Sequence, residues 1–390
     1  MYRELLGIVL VMVFVFFLFN TFSGHVTETG PEANEKPVVV WYVIAKWLEP
    51  DFLDIVEKYK PDIVLLTLFA EDDVVPYHAW YGEQRVRELV EQIRQRGSRV
   101  FYSYSLFSRA PYDEVVVRKI NIEENIHLSD FSGYLKENEE GEYYRYFNYY
   151  LEHGLDPEEI PKVLRKPVDG YYIPIGHYTV IDPLYEPYIR FLKGVINETL
   201  RIAEPDGLAF DHMRFFTFDE GYNQDIRDYI MEKSGFDIYE YTPRPPFIIN
   251  QTGWTEADRT YYDARAELIN NVTYDMISGF PGTKFGTTMG MIDPARANGQ
   301  YAELQGRIFD SLLLMAYDKN PAEVGRNVRE TKERAKVDVI LGINKIVGSD
   351  DSMIANIDAA LQNGAGGIYL LGYDFSERVH NHLLEVRGMG

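Results

Sequence analysis

A predicted buried strand that ends in three ionisable side chains is the part of this chain best suited to chemistry. The strand covers residues 207–210, and Asp211, His212 and Arg214 come just after it. In parallel α/β barrels the catalytic residues lie at the carboxyl ends of the strands, so we expect Asp211 to be a site residue. The alternative is that Asp211 caps a helix or pairs with Arg214 in a loop.

Carboxylates also follow other predicted strands, so a second acidic group is available. Glu71, Asp318 and Asp374 follow the second, sixth and eighth strands. Cleavage of a glycosidic bond needs one carboxyl group that protonates the leaving oxygen and one that attacks carbon or activates water. Asp211 is the predicted nucleophile or base. Asp318 is the predicted general acid, because only one strand separates its strand from that of Asp211. Glu71 and Asp374 are alternatives for this role.

Aromatic and polar side chains near the same strand ends are candidates for binding sugar rings. Aromatic rings can stack on sugars, although packing in the core is the alternative for each ring taken separately. The predicted substrate-binding residues are Trp41, Glu71, Tyr104, His212, Arg214, Tyr317 and Asp374, with Tyr42, Trp47 and Tyr373 as further aromatic residues at these ends.

Several other chemistries lack the residues they require. The chain has no cysteine, which excludes disulfides, thiolate metal sites and cysteine nucleophiles. His380 and His382 are two residues apart in a predicted helix and do not share a face, so no metal site is predicted. The Gly-x-Ser-x-Gly motif of serine hydrolases is absent from the sequence. No glycine-rich loop follows the first strand, and no cofactor is expected.

The elements that position these residues alternate between strands and helices. Eight such units predict a parallel (β/α)₈ barrel, with a doubly wound open sheet as the alternative. A long insertion, from about residue 108 to 182, follows the third strand. The predicted strands are Val38–Ile44, Ile63–Phe69, Val100–Leu106, Gly207–Phe210, Lys284–Met289, Leu312–Tyr317, Val339–Ile343 and Gly367–Leu371.

The N-terminus predicts export. An apolar run from Leu5 to Phe19 indicates a signal anchor or signal peptide over residues 1–23, and the anchor is favoured because the run is long and Thr21-Phe22-Ser23 matches a cleavage site poorly. Residues 24–36 are a predicted tether to a barrel over 37–390. The net charge of −22 argues against nucleic acid and anionic lipid as partners. The oligomeric state is left open.

The segment from Asp206-Gly207 to Asp211-His212-Met213-Arg214-Phe215 resembles the fourth-strand Asp-Gly-x-x-x-Asp-Tyr-x-Arg-Phe motif of glycoside-hydrolase-like (β/α)₈ barrels. Residues 314–318, Leu-Met-Ala-Tyr-Asp, are similar to the sixth-strand motif of family 18 chitinases. The resemblance implies the barrel fold, glycosidase chemistry, and Asp211 oriented by Arg214. Family 18 enzymes carry a Glu where this chain has Met213, and the fifth strand lacks the Glu of family 13 amylases.

These patterns predict an exported, membrane-tethered glycoside hydrolase that acts on a poly- or oligosaccharide. Arg214 and Tyr317 are expected to hold Asp211 ionised and to position the sugar. A non-catalytic carbohydrate-binding barrel of the cell envelope is the main alternative. A sugar deacetylase is a third possibility, and it would need a metal cluster at the barrel mouth.

Overall fold

Eight parallel strands close into a barrel in the computed structural model of this chain. The strands of the described residues are β1 (Val38–Val43), β2 (Ile63–Thr67), β3 (Phe69–Ala70), β4 (Asp73–Pro76), β5 (Arg99–Ser105), β6 (Gly207–Asp211), β7 (Thr283–Thr288), β8 (Ser311–Met315), β9 (Asp338–Asn344) and β10 (Gly367–Leu371). Around the barrel they run β1, β2, β5, β6, β7, β8, β9, β10, and β10 pairs with β1. β3 and β4 form a separate antiparallel ribbon.

The structure describes most of the barrel and leaves out other parts of the chain. Residues 37–390 form one compact unit. The predicted anchor, nearly all of the tether, and the insertion lie outside the described residues. Within the described part, no helix is both long and apolar enough to cross a membrane. The described residues are 36–43, 51–67, 69–70, 73–76, 83–107, 183–184, 186–215, 224–237, 254–290, 296, 298–317, 320–345, 348–372 and 375–389.

Helices follow most barrel strands, and their ends are set by local capping. Thr255 and Asp258 form a reciprocal capping box at the start of one helix, and Asn320 caps another, which has Pro321 in its first turn. The helices are α1 (Phe52–Tyr59), α2 (Glu83–Gln95), α3 (Glu186–Ile202), α4 (Gln224–Ser234), α5 (Glu256–Ile277), α6 (Ala302–Gln305), α7 (Pro321–Ala335), α8 (Asp350–Gln362) and α9 (Glu377–Val386).

The core has an inner and an outer layer because successive strand residues point to opposite faces of the sheet. The outer layer lies between the barrel and the helices. The inner layer fills the barrel and consists of Val40, Tyr42, Ile63, Leu65, Phe101, Ala209, Phe285, Leu313, Ile340 and Tyr369. The Phe101 ring fills the space beside Gly207 at the start of β6, where an added β-carbon would lie 2.4 Å from the ring. A side chain at Gly207 would therefore disturb the strand that carries Asp211.

The closed barrel confirms the predicted fold class, and the open-sheet alternative is wrong. The main differences concern where strands stop. The second strand ends at Thr67, and Phe69, which the prediction included in it, belongs to the β3–β4 ribbon. The sixth strand ends at Met315, so Tyr317 lies in the turn that follows. An apolar run continues across both breaks, and hydrophobic pattern alone does not locate them.

Candidate active site

Asp211 is held at the mouth of the barrel by its strand. It is the last residue of β6 and points inward, as does Ala209 two residues earlier. Its backbone carbonyl accepts a hydrogen bond from the Leu106 N–H at 3.0 Å, which fixes it beside the end of β5. The side chain is 15% exposed. The structure thus places this carboxylate at the carboxyl ends of the barrel strands, the position predicted from the sequence and the one at which barrel enzymes carry out chemistry.

The two carboxylate oxygens of Asp211 have different surroundings. Oδ1 accepts hydrogen bonds from the Thr287 hydroxyl at 2.5 Å and from the His212 backbone N–H at 2.6 Å. Oδ2 accepts no hydrogen bond from any residue that the structure describes, and it lies 3.9 Å from Nδ1 of His212. Oδ2 is therefore the oxygen that is available to a substrate or a water molecule.

The electrostatic surroundings favour an ionised Asp211. Burial alone would raise the pKa of this carboxyl group, but nearby donors and charges outweigh burial. The charge of His212, the Thr287 hydrogen bond, the charge of Arg214 and the His212 amide together hold the pKa of Asp211 below its usual 3.8. An ionised carboxylate suits a nucleophile or a general base and does not suit a general acid at neutral pH.

His212 is fixed by its backbone and by its ring. Its φ is 54°, in the left-handed region, and its carbonyl accepts a hydrogen bond from Phe107 N–H at 3.3 Å. Its ring Nδ1 is 2.5 Å from the Ser105 hydroxyl oxygen. Burial lowers the pKa of His212 below 6.5; Asp211 raises it in part, and Arg214 lowers it further. Burial and Arg214 thus favour the neutral form of the ring, and the charge of Asp211 favours its protonated form.

The loop after β6 is anchored in the outer core. Met213 and Phe215 are buried there, and the Phe215 N–H donates to the Asn298 carbonyl at 2.9 Å. Arg214 lies between these anchors, and its Nη1 is 3.4 Å from Sδ of Met289, just after β7. The guanidinium is thus held on the β7 side of Asp211, near enough to lower the pKa of that carboxyl group.

Three tyrosines lie on the side of the barrel formed by β8, β9, β10 and β1. Tyr42 and Tyr369 face the interior, with ring centroids 5.8 Å apart. A β-carbon added to Gly342 would lie 2.7 Å from Cε1 of Tyr317 and 3.2 Å from Cδ1 of Tyr369, so both rings adjoin this glycine. We call Tyr42, Tyr317 and Tyr369 the aromatic arc. Ser105, Asp211 and Thr287, on β5, β6 and β7, form a polar arc.

Two predicted binding aromatics, Trp41 and Tyr104, lie elsewhere, and this corrects the sequence analysis. Both are completely buried in the outer core. Trp41 stacks on Phe52 of α1 at 5.3 Å, and the Tyr104 hydroxyl is 2.6 Å from that of Thr199 on α3. Because neighbouring strand residues point to opposite faces, Tyr42 faces the barrel interior in place of Trp41.

The candidates for the second acid lie outside the described residues. Asp318, Glu71 and Asp374 all lie outside them, as do Trp47 and Tyr373. The strand order does place β7 between β6 and β8, as the prediction for Asp211 and Asp318 requires.

The polar partners of Asp211 were missed by sequence reasoning. Thr287 and Ser105 lie an even number of residues after Phe285 and Phe101, which face the barrel interior on the same strands. This alternation was the only signal that could have identified them. In the described part of the chain, no group of three His, Asp or Glu residues is arranged to hold a metal ion.

Comparison with known proteins shows the fold only. No family model and no curated protein matches this chain. Similar solved structures include a β-galactosidase from the psychrophilic Marinomonas ef1 (TM-score 0.55, 10% identity, 90% of this chain and 59% of that chain). A β-galactosidase from Bacillus circulans sp. alkalophilus has a TM-score of 0.52, 10% identity, and coverage of 90% and 55%. The catalytic domain of β-amylase from Paenibacillus polymyxa has a TM-score of 0.51, 12% identity, and coverage of 90% and 94%.

The chain therefore spans between half and two thirds of the two β-galactosidases and nearly the whole β-amylase domain. At these identities the likeness establishes a (β/α)₈ barrel of the kind that these glycosidases contain.

Proposed function

We propose that this protein is a glycoside hydrolase that cleaves a poly- or oligosaccharide. The observation that carries the proposal is the Asp211 carboxylate. Its Oδ1 is saturated by two donors, its Oδ2 is available, and its surroundings favour the charged form. A carboxylate in this state at a barrel mouth is one of the two groups that glycosidic cleavage requires.

The proposed reaction assigns the two carboxyl groups separate roles. Oδ2 of Asp211 attacks the anomeric carbon or takes a proton from a water molecule that does so. The second acid, for which Asp318 is the first candidate, donates its proton to the glycosidic oxygen as the bond between carbon and that oxygen breaks. Asp318 follows β8, and Glu71 and Asp374 are the alternatives for the same step. Arg214 helps to keep Asp211 ionised.

The two arcs suggest how a sugar ring is held. A pyranose has an apolar face of C–H groups and an equatorial belt of hydroxyls. The exposed part of the Tyr317 ring is offered to the former, and Oδ2 of Asp211 is offered to the latter. Tyr317 is the partly exposed member of the aromatic arc and is the proposed stacking residue. The net charge of −22 suits a neutral or basic glycan.

The test is a glycan panel with reducing-end detection, run on the wild type and on single amide variants. Asp211→Asn and Asp318→Asn should each lower kcat by about 10²- to 10⁴-fold. Glu71→Gln and Asp374→Asn examine the alternatives for the acid. Asp275→Asn, at an exposed position on α5, is the matched control and should leave kcat unchanged.

If Asp211→Asn and Asp318→Asn both keep near-wild-type rates while remaining folded, the assignment is wrong. If the wild type binds a glycan and cleaves none, the protein is instead a non-catalytic carbohydrate-binding barrel. That second outcome is consistent with Met213, which stands where family 18 enzymes carry their acid and is buried in the outer core.

The proposal includes export and attachment to the cell membrane. It is supported by the apolar run from Leu5 to Phe19 and the polar stretch 24–36 that follows. Cell fractionation of the full chain and of a form lacking residues 1–23 tests this part. The full chain should stay with the membrane after a high-salt wash, and the shortened form should not. Recovery of the full chain in the soluble fraction, without processing, would refute the anchor.

A further inference from the structure

His212 has a backbone conformation that is unusual for its position. Three described residues other than glycine have positive φ, namely Lys60, His212 and Lys336. Lys60 and Lys336 end helices α1 and α7, where a left-handed residue is common. His212 instead directly follows a strand. A residue with a β-carbon is sterically strained in this region, and such strain persists only where the surroundings enforce it.

Three contacts with other described residues help to hold His212 in this conformation. Its carbonyl accepts a hydrogen bond from the Phe107 N–H at 3.3 Å, and its own N–H donates to Asp211 Oδ1 at 2.6 Å. The third contact joins its ring Nδ1 to the Ser105 hydroxyl at 2.5 Å. Ser105 lies directly opposite Asp211 in the pairing of β5 with β6. The last residue of β5 and the segment after it thus bind both the ring and the backbone of His212.

We propose that Ser105 is a positioning residue for Asp211 that acts through His212. Its hydroxyl anchors the imidazole, the anchored ring keeps the backbone left-handed, and this backbone directs the His212 N–H to Oδ1. With Thr287 on the same oxygen, Oδ2 alone remains to react. The inference rests on the proposed function of Asp211, and it gives the His212 ring a structural role in place of a proton-transfer role.

Two substitutions at residue 212 separate these roles. Glycine adopts positive φ without steric cost, whereas alanine is strained there, and both lack the imidazole. If the backbone conformation matters, His212→Gly retains a kcat about 5- to 30-fold higher than that of His212→Ala, the factor equivalent to the strain that alanine carries. If the ring transfers protons, both variants lose about 10²- to 10⁴-fold. Equal losses of that size would overturn the proposal.

A double-mutant cycle tests the part played by Ser105. Ser105→Ala should lower kcat with little change in KM, and Ser105→Thr, which retains a hydroxyl, should restore most of the rate. Ser105→Ala should cost nothing further when His212 is already glycine, because glycine needs no anchor for its conformation. Equal costs in the two backgrounds would show that Ser105 acts independently of His212 and would refute the proposal.

The charge state of Asp211 provides a readout that needs no activity. Among the described residues, the charged groups that act on Asp211 are His212 and Arg214, while β5 and β7 contribute the hydroxyls of Ser105 and Thr287. Titration of the ¹³C-labelled Asp211 carboxyl group, assigned with Asp211→Asn, should show a higher pKa in Ser105→Ala and no added rise when His212 is glycine. If the wild type cleaves no glycan, the proposed function fails, and this titration still decides the positioning role.

Discussion

Replacement of Thr287 by valine removes one of the two hydrogen bonds that Asp211 Oδ1 accepts. The Thr287 side chain is 3% exposed, and its hydroxyl is 2.5 Å from Oδ1. Valine has nearly the same shape and no donor, so the change isolates the hydrogen bond. A hydrogen bond to a charged group contributes about 1.5–3 kcal/mol, and a tenfold change in an equilibrium constant is about 1.4 kcal/mol. The acid dissociation constant of Asp211 should therefore fall by about 10- to 100-fold.

The sign of the stability change follows from the pKa of Asp211 in the folded protein, which is held below 3.8. A group of this kind adds stability above its unfolded pKa, and the added stability disappears as the pH falls through the folded pKa. At pH 7 the free energy of unfolding should drop by about 1.5–3 kcal/mol in Thr287→Val. The difference from the wild type should shrink under acidic conditions that protonate Asp211 in both proteins.

Urea unfolding at neutral and acidic pH measures this difference, and Thr287→Ser is the matched control because it retains the hydroxyl. Thr287→Ser should keep the pH dependence of the wild type. The ¹³C titration of Asp211 should report the same rise in pKa in Thr287→Val. A Thr287→Val protein whose loss of stability is equal at both pH values would refute the reasoning, because the loss would then arise from packing alone.

Three further predictions test other parts of the structure. Tyr104→Phe should lower the free energy of unfolding by about 0.5–1.5 kcal/mol through loss of the hydrogen bond to α3, with no change in KM for the glycan, since Tyr104 is a core residue. Gly342→Ala should lower the free energy of unfolding by about 1–3 kcal/mol and should raise KM, because the added methyl group displaces Tyr317. The control Gly194→Ala, in open space on α3, should raise the free energy of unfolding by about 0.5–1 kcal/mol. Burial lowers the pKa of His212, so the unfolded chain binds a proton more readily at this residue, and the stability of the protein should decline as the pH falls below 6.5. Thermal unfolding measured across pH should show a smaller decline in His212→Asn.

The barrel was predictable from the sequence because each of its strands is an apolar run separated from the next by a helical pattern or a long polar segment. The position of Asp211 was predictable for a related reason. A rigid strand fixes the residue at its end, and parallel strands bring their ends together.

Which side of a strand faced the site was not predictable. Barrel strands are buried on both faces and read as continuous apolar runs, so no alternation distinguishes Trp41 from Tyr42. The pattern therefore could not show that Trp41 packs on α1 and that Tyr42 faces the interior.

The partners of Asp211 were hidden for another reason. Serine and threonine are ordinary in strands, and only the register of β5 and β7 against β6 brings the Ser105 and Thr287 hydroxyls to the mouth. The left-handed conformation of His212 also depends on tertiary contacts, because local propensity disfavours it for a residue with a β-carbon.

The rate of glycan cleavage by Asp211→Asn, with and without added azide, tests the central claim most directly. The amide retains the shape of the carboxylate and removes its charge, so kcat should fall by about 10²- to 10⁴-fold while the thermal midpoint changes little. Azide is a small anion that can attack the anomeric carbon in place of Oδ2 or of the water molecule that Oδ2 activates, and it should restore part of the lost rate and yield a glycosyl azide. A folded Asp211→Asn protein that cleaves the glycan at the wild-type rate would contradict the account.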